Sequence, residues 1–379
     1  MKYRYLGAVL SLAALSGCGG GGGGVNSASS CPLLQGGTCS APPPSAPTPV
    51  PLLEVQTTTT YTSVGGIQKL EEDYKLPIVN GSPAPPPVKS GELYTADQPP
   101  AASDKIIISY DPRGAVFSVE FDVDDIAVSP RFQDPAHRTD FGPNVTPQGN
   151  VPDLPQLAYL EAGTSGTDST DIETFFYEKP GSKTRYVTLA GYVRNFRNGP
   201  VDKDFVINRT RGVVAFGNQS RASDVPSKGT ATYSGSMLAS LVSIDIDANP
   251  SGRSRFEWVD GTASVSVDFG KGTVATSFQG TVVPTQSVFE GSPFGSMAAP
   301  HSGAAFGAIG TAKFDSSGIV YAGKIDAASF AGSSVNMAAS SLDGTFYGPG
   351  AVETGGAFRI VGATPDTRVD FLGAFTAVK

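Results

Sequence analysis

Along this chain apolar positions alternate with polar ones far more often than they recur at helical spacing. Ala115, Phe117, Val119 and Phe121 share one face of a segment whose other face carries Ser118, Glu120 and Asp122. The apolar run Lys105-Ile-Ile-Ile-Ser-Tyr110 precedes it, and Asp111-Pro-Arg-Gly114 joins the two. Period-two alternation beside a Pro/Gly turn predicts a β-hairpin. A second hairpin is predicted from Glu173–Glu178 and Arg185–Val193, turned by Lys179-Pro-Gly-Ser-Lys183. The span from Val123 to Pro155 is punctuated by proline and reads as loop, and Gln68–Lys75 is a short helix-like stretch.

From about Val225 the strand signals become regular, recurring every 8–14 residues. Ala263, Val265, Val267 and Phe269 alternate with Thr262, Ser264, Ser266 and Asp268, and Gly270-Lys-Gly272 turns the chain into 273–278. Ala304, Phe306, Ala308, Ala312 and Phe314 share one parity, and Asp315-Ser-Ser-Gly318 turns into 319–325. The last strand groups Val369, Phe371, Phe375 and Ala377. Many short, half-apolar strands with glycine at the turns predict an up-and-down barrel, because closure removes the open edges that invite pairing with other chains. Small residues mixed with Phe on the inward parity fill a small barrel. The apolar outer band and aromatic girdles of a membrane-spanning barrel are missing.

Composition narrows the class. The 379 residues include 46 glycines and 30 prolines, about a fifth of the chain against ~12% on average, which excludes a coiled coil or helical bundle. No internal apolar run approaches the ~18 residues of a membrane-spanning helix. A formal charge of −8 argues against a nucleic-acid surface, which needs clustered Lys and Arg.

The N-terminus sets the compartment. Lys2 and Arg4 precede the short apolar run 6–15, the layout of an export signal over residues 1–17. Leu15-Ser16-Gly17-Cys18 resembles the lipobox of bacterial lipoproteins, in which the cysteine is acylated and becomes the first mature residue; Cys18 is therefore the expected lipidation site. Cleavage there leaves 25 basic and 35 acidic residues, a charge of −10. In lipoproteins of the kind this segment resembles, Gly19 in place of Asp implies sorting to the outer membrane. Stable anchoring takes more than one acyl chain, such as the palmitate and its companions on a lipoprotein cysteine. Six glycines at 19–24 and the prolines of 42–51 make a tether, flexible then extended. Cys31 and Cys39 fall inside it and are expected to form a local disulfide in an oxidising compartment.

The second half also carries a family resemblance. The segments 224–235 and 261–274 look like the entry strand and a following hairpin of the barrel in transferrin-binding protein B. More specific is Gly344-Thr-Phe-Tyr-Gly-Pro-Gly-Ala-Val-Glu-Thr-Gly-Gly-Ala-Phe358. It resembles that family's signature through Gly344, Phe346, Tyr347, Gly348, Pro349, Glu353, Gly355, Gly356 and Phe358. Upstream, Tyr186–Val193 and Val213–Gly217 are similar to strands of the family's adjoining handle domain. There is length for one handle and barrel where the two-lobed proteins have two, so the resemblance is to the single-lobe, solute-binding branch. It implies an all-β protein with a C-terminal eight-stranded up-and-down β-barrel (225–379), preceded by a β-rich handle (56–224), a tether (18–55) and the signal (1–17). It further implies an outer-membrane lipoprotein facing the cell exterior, accessory to a TonB-dependent receptor, with a solute or a haem- or metal-carrying protein as ligand. An adhesin or host-protein binder without transport is the alternative.

Nothing in the residues asks for catalysis or a cofactor. His137 and His301, the two histidines, are far apart and without partners for a triad or metal set, and read as surface or loop residues. Asp245-Ile-Asp-Ala-Asn249 begins like a calcium loop, but Pro250 replaces the required glycine and Phe256 the closing glutamate. The acidic residues Asp122, Asp124 and Asp125 read as a solvated face. Asn144, Asn208 and Asn218 head sequons that are coincidental in a bacterial protein. Phe289, Phe294, Phe256 and Trp258 look loop-borne, suited to hot spots or to packing across the handle–barrel seam.

Overall fold

The computed structural model describes residues 48–74, 78–79, 82–83, 106–123, 126–128, 131–133, 151–165, 169–181, 183–200, 204–246, 255–286, 301–315 and 317–379. Cys18, Cys31, Cys39, Asp124, Asp125, His137, Asn144, Phe289 and Phe294 lie outside them.

The expected alternation becomes two antiparallel sheets. The first holds β1 (Thr59–Tyr74), β2 (Ile106–Asp111), β3 (Val116–Val123), β4 (Ile126–Val128), β5 (Arg131–Gln133), β6 (Leu157–Ser165), β7 (Ser169–Glu178), β8 (Val187–Asn198) and β9 (Phe205–Gly217). Its order is β4-β3-β2-β1-β9-β8-β7-β6, with β5 also paired to β3. The sheet curls over its own apolar face, so that Phe132 of β5 stacks on Phe175 of β7 with ring centres 5.6 Å apart. Ile108, Phe117, Val119, Tyr192 and Phe216 complete that core. Both predicted hairpins are present, as β2–β3 and β7–β8.

Of the helix-like stretch Gln68–Lys75, the described residues 68–74 are instead the second half of β1, which pairs residue by residue with β9 from Thr62↔Gly217 to Tyr74↔Phe205. Tyr61 and Ile67 face the curled core while Val64 faces the other way, toward the barrel. A strand buried on both faces loses the clean alternation, and Ile67 and Leu70 then mimic a helical spacing. The region 123–155, read as loop, contributes the short strands β4 and β5 and the pair Val151–Pro152.

The second sheet is closed. It comprises β10 (Thr230–Asp245), β11 (Arg255–Asp268), β12 (Thr273–Val283), β13 (Ala305–Phe314), β14 (Val320–Phe330), β15 (Asn336–Tyr347), β16 (Glu353–Ala363) and β17 (Thr367–Val378). Each pairs with the next, and β17 pairs back to β10. This is the expected eight-stranded up-and-down barrel. The predicted inward parity is the observed interior: Val265, Val267, Phe306, Phe371 and Phe375 are buried in one cluster. Phe278 stacks on Phe358 at 4.5 Å and Phe306 lies 4.7 Å from Phe371. Glycine is needed where inward positions meet a neighbouring backbone. A Cβ on Gly356 would sit 2.1 Å from the Asp343 carbonyl oxygen, and one on Gly261 2.1 Å from that of Gln279.

A third apolar cluster joins the sheets. Val64, Val187, Leu189 and Val213 of the handle pack on Leu238, Trp258, Tyr347, Leu372 and Ala374 of the barrel's outer wall. The handle thus covers the largest apolar patch of that wall, while Ile309 and Val320 stand exposed on it elsewhere.

Candidate functional site

The signature residues collect at this seam. Phe346 and Phe358 point into the barrel, and Tyr347, from the opposite parity, lies in the seam cluster. Gly348 has φ +72°, and a Cβ there would lie 2.6 Å from the Tyr186 ring. Its N–H donates to the Asn218 carbonyl at 3.0 Å and its carbonyl accepts from the Ser220 hydroxyl at 2.6 Å. Pro349 opens the turn 349–351, whose Ala351 carbonyl accepts from the Tyr233 hydroxyl at 2.7 Å. A side chain on Gly344 would run into the Tyr321 ring, and one on Gly355 would press on Val187.

Glu353 fastens the two sheets together. Its carboxylate accepts three successive handle N–H groups, from Arg185 at 2.7 Å, Tyr186 at 2.8 Å and Val187 at 3.0 Å. Burial pushes the Glu353 carboxyl up, and those three donors pull it partly back. One barrel side chain thus satisfies donors at the start of β8 that would otherwise be stranded in the seam.

The chain's N-terminal arm docks at the same place. Leu52 and Val55, inside the expected 18–55 tether, are buried in the handle core. Leu52 N–H donates to the Arg185 carbonyl at 2.8 Å, and the Tyr61 hydroxyl donates to the Leu52 carbonyl. Asn218 Nδ2 donates to the Val50 carbonyl at 2.7 Å, and Arg221 reaches the Thr48 hydroxyl at 2.6 Å. Asn218, the head of a coincidental sequon, is thus a strap on the arm. The arm leaves beside Gly348, at the barrel end where 269–272, 315–319 and 348–352 make short turns.

The opposite barrel end carries the longer connections, 246–254 and 284–304. Its rim holds the Arg255–Asp245 ion pair at 2.8 Å, so Asp245 ends a strand against a cation rather than opening a calcium loop. Glu257, fully buried, accepts the His301 main-chain N–H at 3.0 Å and meets His301 Nδ1 at 2.5 Å. His301 also lies edge-on to Phe330 at 5.2 Å. It is a turn residue, within the surface-or-loop expectation, but one that fastens the barrel mouth through Glu257. Beside it, Thr285 and Gln286 pair with Pro152 and Val151, tying the second connection to the handle.

Two aromatics expected on a loop are on β11. Trp258 is fully buried in the seam, edge-on to Phe176 at 5.2 Å, and the Arg211 guanidinium lies 4.6 Å over Phe256. Residues 255–258 continue the ladder with β10, which turns these rings onto the handle. The sequence reading missed the buried pair Arg359–Asp370, joined by two contacts of 3.1 and 2.7 Å, with Gln68 donating to the Asp370 carbonyl at 2.9 Å. Its signal is the β16–β17 hairpin register, which sets the two residues diagonally across one outer face. Asp343, half-buried on the outer parity of β15, has its carboxyl pushed up to about 6 by desolvation. Among the described residues no cluster of three or more His, Cys, Asp or Glu could hold a metal ion.

The barrel residues 225–379 match the family model for the C-lobe and N-lobe beta barrels of Tf-binding protein B. Solved structures similar to the chain include the transferrin binding protein B double mutant from Haemophilus parasuis, 13% identical over 87% of this chain and 78% of that one, with a TM-score of 0.33. HpuA from Kingella denitrificans in complex with human haemoglobin is 11% identical over 89% and 92%, with a TM-score of 0.28. Transferrin binding protein B from serogroup B Neisseria meningitidis is 9% identical over 84% and 78%, with a TM-score of 0.27. No curated protein matches the sequence. The family is one of binding proteins rather than enzymes. Residues 225–379 thus form a closed eight-stranded barrel that matches the model for the C-lobe and N-lobe beta barrels of Tf-binding protein B over its whole span.

Proposed function

We propose that this chain is a lipid-anchored outer-membrane protein that faces the cell exterior. It captures a haem- or metal-carrying host protein, or a smaller solute, as accessory to a TonB-dependent transporter. The domains are then the signal 1–17, the tether from Cys18, the handle and the barrel 225–379, with the last tether residues 48–55 strapped to the handle. The observation that carries this reading is the docked arm. It leaves at the short-turn end, so a tether rooted in a membrane directs the opposite rim, with its long connections, outward. Loops held on a rigid scaffold are where binding residues concentrate, and the Glu257–His301 and Thr285–Pro152 contacts fix the roots of one of them.

Two measurements test it. Cys18→Ser should abolish incorporation of labelled palmitate and release the protein from the membrane fraction; unchanged incorporation sinks the anchor. Mature protein incubated with transferrin, haemoglobin and haem should retain one of them and co-purify with an outer-membrane receptor. Adhesion to host cells with no retained carrier and no receptor would instead support the adhesin reading.

A further inference from the structure

Away from both seam and rim, a trough of about 620 Å³ crosses the barrel wall formed by β10 to β14, near their short-turn ends. The register explains its course. Ala231, Val267, Val274, Ala312 and Gly323 are paired in succession, one per strand. The first four have buried side chains, so the backbone at this level forms the floor. The residues on either side point outward as two walls, one running from Thr230 to Lys313 and the other from Thr232 to Lys324. Between these ends the walls are mostly Thr, Ser and Ala, short side chains with hydroxyls to offer. No aromatic ring lines the trough, so it lacks a stacking surface for a sugar or a porphyrin. The floor's N–H and C=O groups belong to the closed barrel ladder, so an occupant cannot be added as another strand. It must be recognised through side chains.

Charge states which side chains. Lys313 and Lys324 stand on opposite walls at the β13–β14 end. Lys313 has no ion-pair partner among the described residues, and Lys324 reaches Asp326 only at 3.8 Å. The Asp326 carboxylate is itself held by the Thr311 hydroxyl at 2.8 Å. At the far end Asp268 is matched by Lys271 at 2.9 Å. Two available ammonium groups thus flank a small-residue floor in a chain whose net charge is −8. The protein's own tether cannot satisfy them, because residues 18–53 contain no Asp or Glu.

We propose that this trough docks an extended acidic segment of a partner protein, whose carboxylates lie between Lys313 and Lys324. Four strand spacings of ~4.8 Å give a trough ~19 Å long, the reach of about six extended residues. The wall is separate from the rim assigned to capture, so this interaction stands or falls independently of it.

The test uses the full chain and a fluorescein-labelled hexaglutamate peptide, with binding read by fluorescence anisotropy. Saturable binding is expected that weakens at least tenfold in Lys313→Glu/Lys324→Glu and weakens with added salt. The exposed control Lys228→Glu should change it less than twofold, with all variants keeping the wild-type circular dichroism. Absence of saturable binding, or equal weakening by the control, overturns the proposal. Displacement of the peptide by a sulfated oligosaccharide at a tenfold lower concentration would overturn it in favour of a polysaccharide. Self-association in sedimentation that the double variant abolishes would overturn it in favour of a second copy.

Discussion

Removing the Glu353 carboxylate should separate the handle from the barrel before either sheet melts. In Glu353→Ala three N–H groups lose their acceptor. Val187 is fully buried, so its N–H is orphaned at a cost of ~1–3 kcal/mol. Arg185 and Tyr186 are partly exposed, and water can take over there, leaving ~0.5–1 kcal/mol for each exchanged bond. Relief of the desolvation that pushes the Glu353 carboxyl up works in the other direction. The net loss is about 3 kcal/mol. With a urea m-value near 3 kcal/mol per molar, the midpoint falls by about 1 M. Trp258 is the only tryptophan and sits in the seam, so its fluorescence reports this interface while far-UV circular dichroism reports both sheets. The fluorescence midpoint should fall by about 1 M, at or ahead of the dichroism midpoint. Glu353→Gln, which keeps one carbonyl acceptor but aims an amide N–H at another donor, should lose roughly half as much. A fluorescence shift below ~0.2 M, or one no larger than in Glu54→Ala, whose side chain is 65% exposed, would refute the fastening role.

Other expectations follow from the same structure. With its folded carboxyl raised to about 6, Asp343 is protonated more readily folded than unfolded, so its contribution to stability falls as pH rises from ~3.9 to about 6. Asp343→Asn should flatten that part of the pH–stability curve and, after discounting for partial exposure, raise stability by about 1 kcal/mol at pH 7.5; an unchanged curve contradicts this. Gly356→Ala should destabilise by ~3 kcal/mol or more because its Cβ meets backbone. Gly318→Ala, with φ +71° but open space, should lose only ~1 kcal/mol; equal thermal shifts would argue against the close backbone approach at Gly356. Arg359→Met alone should lose ~3–5 kcal/mol, and adding Asp370→Leu should restore most of it. A single variant no worse than the double would show that the pair is not sealed from water.

The barrel was legible because most of its strands have one wet face. Val265, Val267, Phe371 and Phe375 announce their inward parity by alternation, and glycine-bearing turns give the spacing. Legibility failed where a second element removes the wet face. β1 is covered on both sides, so Gln68–Lys75 read as helix. Trp258 and Phe256 read as loop-borne because the strand's outer side is apolar there, as it must be under the handle. Glu353 was visible as part of a motif, but its partners lie some 167 positions earlier, and no local pattern connects them. His301 likewise reads as an isolated loop residue until the fold sets it on Glu257. Leu52 and Val55 sit among prolines that read as linker, and only their burial marks this part of the segment as a strap.

The proposed capture rim is tested most directly by blocking it. Residues 47–379 form one compact unit and contain no cysteine. A polyethylene glycol chain can therefore be attached singly at Asp366→Cys on the long-connection rim, or at Ser317→Cys on the short-turn end. Capture of a haem- or metal-carrying protein, measured by surface plasmon resonance, should be lost with the block at 366 and kept with the block at 317. Loss at 317 with retention at 366, or no carrier captured by the unblocked protein, would contradict the proposed capture face.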